Sequence, residues 1–219
     1  MENDKLIEAP RLLLVSASGV KAGKTTLSTA LVWYFSKVYS VIGLKVTTAE
    51  SGRPCQRHST GCGACQFDGP FVLSQELDRD SPKDTSKLLA SGAKKVFWLR
   101  ACKDSLAQGF EAFNKLISKR YLVVAESNSL RQFVKPGLMY YINNPLDSVK
   151  ASAKNLDKLC NVLVDLGHSL EDQKADLIAR SALARSGGQD FFKQFKISPA
   201  GQKIRDKYKA QDFADYQSY

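Results

Sequence analysis

The sequence predicts an α/β fold three layers deep: a mostly parallel sheet with helices on both faces. Three features of the 219-residue chain carry that expectation. Short, continuously apolar runs recur along it, as strands buried on both faces require. Segments of helical period lie between those runs, and the connections are short.

Taken in order, Arg11–Ser16 (RLLLVS) is the first apolar run and reads as a buried strand. Lys24–Val38 sets Leu27, Ala30, Leu31, Tyr34 and Val38 on one helical face. Ser40–Val46 reads as a second strand, and the Gly-, Ser-, Thr- and Cys-rich stretch 47–69 has no regular period. Ser81 and Pro82 mark a helix start ahead of Lys83–Ala90, with Ser81 as cap and Pro82 in the first position. Lys95–Leu99 is a third strand, Ser105–Ile117 a helix, and Tyr121–Ala125 (YLVVA) a fourth strand, central because it is apolar throughout. Leu138–Ile142 and Asn161–Leu166 follow as strands, with Ser148–Leu159 helical between them. Residues 1–186 are expected to form one domain carrying 47–69 as an inserted loop. Residues 187–219, beyond the Ser186-Gly187-Gly188 break, form a C-terminal extension, helical or partly mobile.

Composition excludes several classes. With 43% apolar and 25% charged residues the chain has the balance of a soluble globular protein. No apolar run approaches the ~20 residues of a membrane helix. Glu2, Asp4 and Glu8 near the start are unlike a secretory signal, so a cytoplasmic location is expected. The net charge of +10 is spread along the chain rather than interleaved with aromatics, which argues against a nucleic-acid partner and suits an acidic small ligand.

The most specific motif follows the first strand and opens the first helix. Ser18-Gly19-Val20-Lys21-Ala22-Gly23-Lys24-Thr25-Thr26 has the composition and context of a phosphate-binding loop, with Ser18 where the usual pattern has glycine. Residues Gly19, Val20, Lys21, Ala22 and Gly23 would curl so that successive N–H groups meet phosphate oxygens. The helix N-terminus adds partial positive charge. Lys24 would neutralise the β/γ charge, the Thr25 hydroxyl would ligate Mg2+, and Thr26 would lie near the α-phosphate. Glu126, at the end of the apolar Tyr121–Ala125 run, is the carboxylate expected to complete the Mg2+ site or to orient a nucleophilic water. The fold expectation is thereby sharpened to a three-layer P-loop NTPase.

A second constellation lies in the aperiodic loop. Cys55, His58, Cys62 and Cys65 form a C-x-x-H and a C-x-x-C separated by three residues. That set suits a structural Zn2+ site, and the same thiolates could hold an iron–sulfur cluster. Metal binding would supply folding free energy to a loop of that length. Five cysteines, an odd number, favour a reducing compartment over a disulfide framework. Cys102 and Cys160 read as structural, the first beside Trp98-Leu99 and the second on an apolar helix face.

Over roughly residues 11–130 the strand, Gly-Lys-Thr-Thr loop and helix, followed by Gly43-Leu44-Lys45-Val46-Thr47, Lys83-Asp84-Thr85, Ser91-Gly92-Ala93 and Val123-Val124-Ala125-Glu126-Ser127, resemble the molybdopterin-guanine dinucleotide biosynthesis adaptor (MobB) family of P-loop NTPases. The resemblance implies a nucleotidase, often homodimeric, that serves cofactor or metalloenzyme assembly beside a client enzyme. It would set Asp84 near Mg2+ as a third catalytic residue with Lys24 and Glu126, and Lys45 or Thr47 near the γ-phosphate. Asp84 fits a capping box with Ser81 equally well. Ser127 stands where that family carries glycine, and the cysteine loop lies outside its pattern. Asn143-Asn144 fits a turn with Pro145 better than a base contact.

The expected function is therefore Mg2+-dependent binding and hydrolysis of ATP or GTP in cofactor or metal-centre maturation, with a Cys/His metal site beside the nucleotide. A small-molecule kinase passing the γ-phosphoryl group to a bound acceptor is the alternative, because the same residues serve both.

Overall fold

The computed structural model describes residues 6–19, 22–49, 67–144 and 148–165. Its centre is a seven-stranded sheet built from β1 (Ile7–Ala17), β2 (Val41–Ala49), β3 (Phe71–Glu76), β4 (Lys95–Cys102), β5 (Leu122–Glu126), β6 (Val134–Asn143) and β7 (Val162–Asp165). The order across the sheet is β3-β4-β2-β5-β1-β6-β7. Every pairing is parallel except β3 with β4. The apolar run of β5 does lie at the middle of the sheet, with all five of its residues buried.

Alternation along the strands divides the core in two. On one face Leu13, Val15, Val41, Val96, Leu122, Val124 and Tyr140 pack under α1 (Lys24–Ser36) and α2 (Asp84–Ala90). On the other, Leu12, Leu14, Ile42, Leu44, Phe97, Leu99 and Val123 meet Leu106, Phe110 and Phe113 of α3 (Leu106–Leu116). The buried stripe of α1 is wider than the periodicity suggests, because Ser28, Val32 and Phe35 are buried with Leu27, Leu31 and Tyr34. Gly109 lets α3 approach the sheet: a Cβ there would lie 2.8 Å from Leu99 Cδ1 and 3.2 Å from Phe71 Cγ.

One element is added to the sequence reading and three expectations are corrected. Phe71–Glu76, unassigned from sequence, is the antiparallel edge strand β3, whose half-buried side chains carry no clear period. Residues 148–159 are not an α-helix but two short 3₁₀ turns, Ala151–Ala153 and Asp157–Leu159. The Lys150 N–H donates to Ser18 O and holds this segment down, while Asn155 adopts φ 63°, a left-handed conformation that interrupts a helix. Cys160 therefore follows a turn, its thiol donating to Asp157 O at 3.0 Å, half-buried against the α3-side core. Finally, α2 begins at Asp84, with Lys83 extended at its cap position. The Ser81 hydroxyl accepts the Lys83 N–H at 3.3 Å, and the Asp84 carboxylate turns away to Lys45.

No helix among the described residues is long and apolar enough to cross a membrane. The expected extension at 187–219 lies outside the described residues.

Candidate functional site

The carboxyl ends of β1, β2, β5 and β6 meet at one edge of the sheet, where ligands bind in open α/β folds. The chain leaving β1 is anchored on both sides. Ser18 N–H donates to Ile142 O, Ser18 Oγ accepts the Asn144 N–H at 3.0 Å, and Ser18 O accepts from Lys150. The bond from Asn144 gives the Ser18 hydroxyl a partner at the start of the loop that follows β1. It also places Asn144 as a backbone partner of that loop.

Gly23 occupies the cap position of α1 with φ 81° and ψ 13°, left-handed geometry that glycine adopts without a Cβ penalty. Its carbonyl accepts the first helical bond, from Leu27 N–H at 2.9 Å. Lys24 Nζ donates to Gly19 O at 3.0 Å. Ala22 is buried, and Thr25 and Thr26 occupy the first turn of the helix. Val20 and Lys21 lie outside the described residues.

Opposite this turn stands Glu126, only 5% exposed at the end of β5. Its Oε1 accepts the Thr25 hydroxyl at 2.9 Å. Its Oε2 is buried without a hydrogen-bond partner among the described residues. An orphaned carboxylate oxygen at that depth is costly unless a cation or donor completes it. Thr25 and Glu126 therefore present oxygen donors of the kind that could hold a divalent cation.

Lys45 lies beside Glu126 in the β2–β5 register and 3.4 Å from its Oε1, and it also ion-pairs with Asp84. Burial alone would lower the pKa of its ammonium. The charge of Glu126, together with the hydrogen bond and charge of Asp84, outweighs that effect and holds it above the usual 10.5. Asp84 is thus brought into the cluster through Lys45. The first turn of α2 is tied down again by Thr85, whose hydroxyl donates to Glu76 Oε2 at 2.6 Å.

The residues after Glu126 lock the end of β5 against β1. Ser16 Oγ donates to Ser127 O at 2.6 Å, and Asn128 brackets Ala17 by accepting from its N–H at 3.0 Å and donating to its carbonyl at 2.8 Å. Ser127 Oγ accepts the Leu130 N–H at 3.1 Å, starting the turn at Ser129–Gln132. Farther along the edge, Thr48 and Ser129 share a hydrogen bond of 2.9 Å, and Thr47 accepts from Trp98 Nε1 at 2.9 Å. Sequence reasoning missed Asn128. It also had no account of the Lys45 pairings, although a lone lysine between Leu44 and Val46 in a buried strand was a usable signal.

Cys55, His58, Cys62 and Cys65 lie outside the described residues. Among the described residues no group of three or more His, Cys, Asp or Glu side chains is placed to hold a metal ion. No protein-family model matches the chain, and a comparison with curated proteins returns no match.

Proposed function

We propose that the chain is a Mg2+-dependent P-loop nucleotidase of the three-layer class, binding ATP or GTP between the bend after β1 and the end of β5. The observation that carries this reading is the Thr25–Glu126 pair. A hydroxyl on the first turn of a helix with a glycine-capped start meets a buried carboxylate that has an unsatisfied oxygen. Thr25 and Glu126 would hold the Mg2+. When bound, that ion neutralises phosphate charge during phosphoryl transfer.

In this reading the bend from Gly19 to Gly23 supplies backbone donors to phosphate oxygens, and the α1 N-terminus adds its dipole. Lys24, now donating to Gly19 O, turns its ammonium to the β- and γ-phosphates. Glu126 would serve as the metal's carboxylate or orient the attacking water, and Asp84 would act through Lys45. The resemblance to the adaptor family supports a homodimer and a client in cofactor or metalloenzyme assembly. The Cys55, His58, Cys62 and Cys65 spacing supports a Zn2+ or iron–sulfur site, and the odd count of five cysteines supports a cytoplasmic setting. The net charge of +10 favours an anionic ligand.

Isothermal titration of the full chain with Mg·ATP and Mg·GTP tests the reading, paired with Lys24→Ala. One nucleotide should bind, and the substitution should abolish binding; silence with both nucleotides rejects the proposal. Hydrolysis without any acceptor identifies a nucleotidase, whereas turnover that begins only with an acceptor identifies the kinase. Elemental analysis of the purified chain tests the cysteine site, and a metal-free, folded sample rejects it.

A further inference from the structure

We propose that Lys45 is an internal stand-in for the divalent cation. Its ammonium neutralises Glu126 and Asp84 in the resting protein and must leave Glu126 when a metal ion arrives. This rests on the nucleotide reading above and assigns a gate to the same site.

One oxygen of Glu126 carries the argument. Oε1 accepts the Thr25 hydroxyl at 2.9 Å and faces the Lys45 ammonium at 3.4 Å, while Oε2 has no partner among the described residues. A divalent ion drawing on Thr25 and Glu126 would sit within a few ångströms of that ammonium, and like charges that close repel strongly away from bulk water. Ammonium and metal are therefore competitors for one carboxylate. Side-chain exposure rises outward through the cluster. Glu126 is 4% exposed, Lys45 22% and Asp84 37%, so Asp84 is a ready second partner toward solvent. Lys45 can release the inner carboxylate while keeping the outer one. Asp84 opens α2, and Thr85 beside it is fixed to Glu76, so the retreating ammonium meets a carboxylate on an anchored turn.

The test is titration of the full chain with Mn2+ alone, followed by electron paramagnetic resonance of the free ion, for the unaltered protein, Lys45→Met and Lys45→Met/Glu126→Gln. Removing the competitor should tighten Mn2+ binding by at least about tenfold, and the double substitution should abolish the gain. Unchanged or weaker binding by Lys45→Met overturns the proposal. Should that variant fail to fold, the acetylation rate of Lys45 is mapped in the unaltered chain. It should be slow relative to Lys135, whose side chain is 57% exposed, and rise severalfold with saturating Mg2+. A rate indifferent to Mg2+ overturns the proposal equally. Neither measurement uses nucleotide, so failure of Mg·ATP and Mg·GTP to bind is read separately from failure of the gate.

Discussion

The Thr25 hydroxyl donates to Glu126 Oε1 across 2.9 Å, joining the first turn of α1 to the end of β5 over a sequence separation of 101 residues. Removing the hydroxyl with Thr25→Val should cost about 1.5–3 kcal/mol of stability, the net value of a hydrogen bond to a charged group. Its larger effect should fall on ligand binding. Affinity for nucleotide in the presence of Mg2+ should drop by at least about tenfold, toward the value without Mg2+, as expected when one oxygen donor is lost. Calorimetry with and without the metal checks this, and an unaltered Mg2+ dependence would contradict it.

Gly23 holds φ 81° at the cap of α1. Alanine there adds a Cβ in left-handed geometry at roughly 1–2 kcal/mol. The expected outcome for Gly23→Ala is a denaturation midpoint lowered accordingly, with nucleotide binding lost because the bend must open.

Asn128 acts as a surrogate strand residue for Ala17, satisfying both its N–H and its carbonyl. Asn128→Ala leaves those buried groups without a partner and should cost about 2–4 kcal/mol. Hydrogen exchange at the Ala17 amide should accelerate more than at Leu13, deeper in the same strand. Equal protection at both amides would show that the bracket contributes nothing local.

Gly109→Ala pushes a methyl against Leu99 and Phe71 in the α3-side core. Overpacking of that kind costs typically 1–3 kcal/mol. The site lies at the carboxyl edge of the sheet, so ligand affinity should survive under conditions where the variant stays folded.

Acid stability offers a separate check. The Thr85 hydroxyl bond, chief among several influences, holds the Glu76 carboxyl below its usual 4.5, against the opposing effect of burial. A depressed pKa contributes stability that is complete above 4.5 and is lost as pH falls through the lower folded value. Thr85→Val should raise the Glu76 pKa and flatten the fall in stability below 4.5, as followed by unfolding at stepped pH. An identical acid limb in both proteins would exclude this pair as a contributor.

Features written in neighbouring residues were legible in the sequence itself. The Gly23-Lys24-Thr25-Thr26 turn, the buried β5 and Glu126 at its end each depend on a contiguous stretch, whose apolar period and small residues state the backbone they need. That was enough for the α/β class, the central strand and most of the candidate site. Tertiary structure decided what depends on partners. The edge strand β3 exists because β4 offers it an unpaired side, and its own residues carry little pattern. Asp84 could serve a cap or a site until Lys45, 39 residues away, claimed its carboxylate. Residues 148–159 carry apolar positions that a helix could use, yet the bond from Lys150 to Ser18 and the left-handed Asn155 hold them in short turns. The reason is physical: helical and strand periods are local properties of the chain, whereas ion pairs and hydrogen bonds between distant segments depend on the register the sheet adopts.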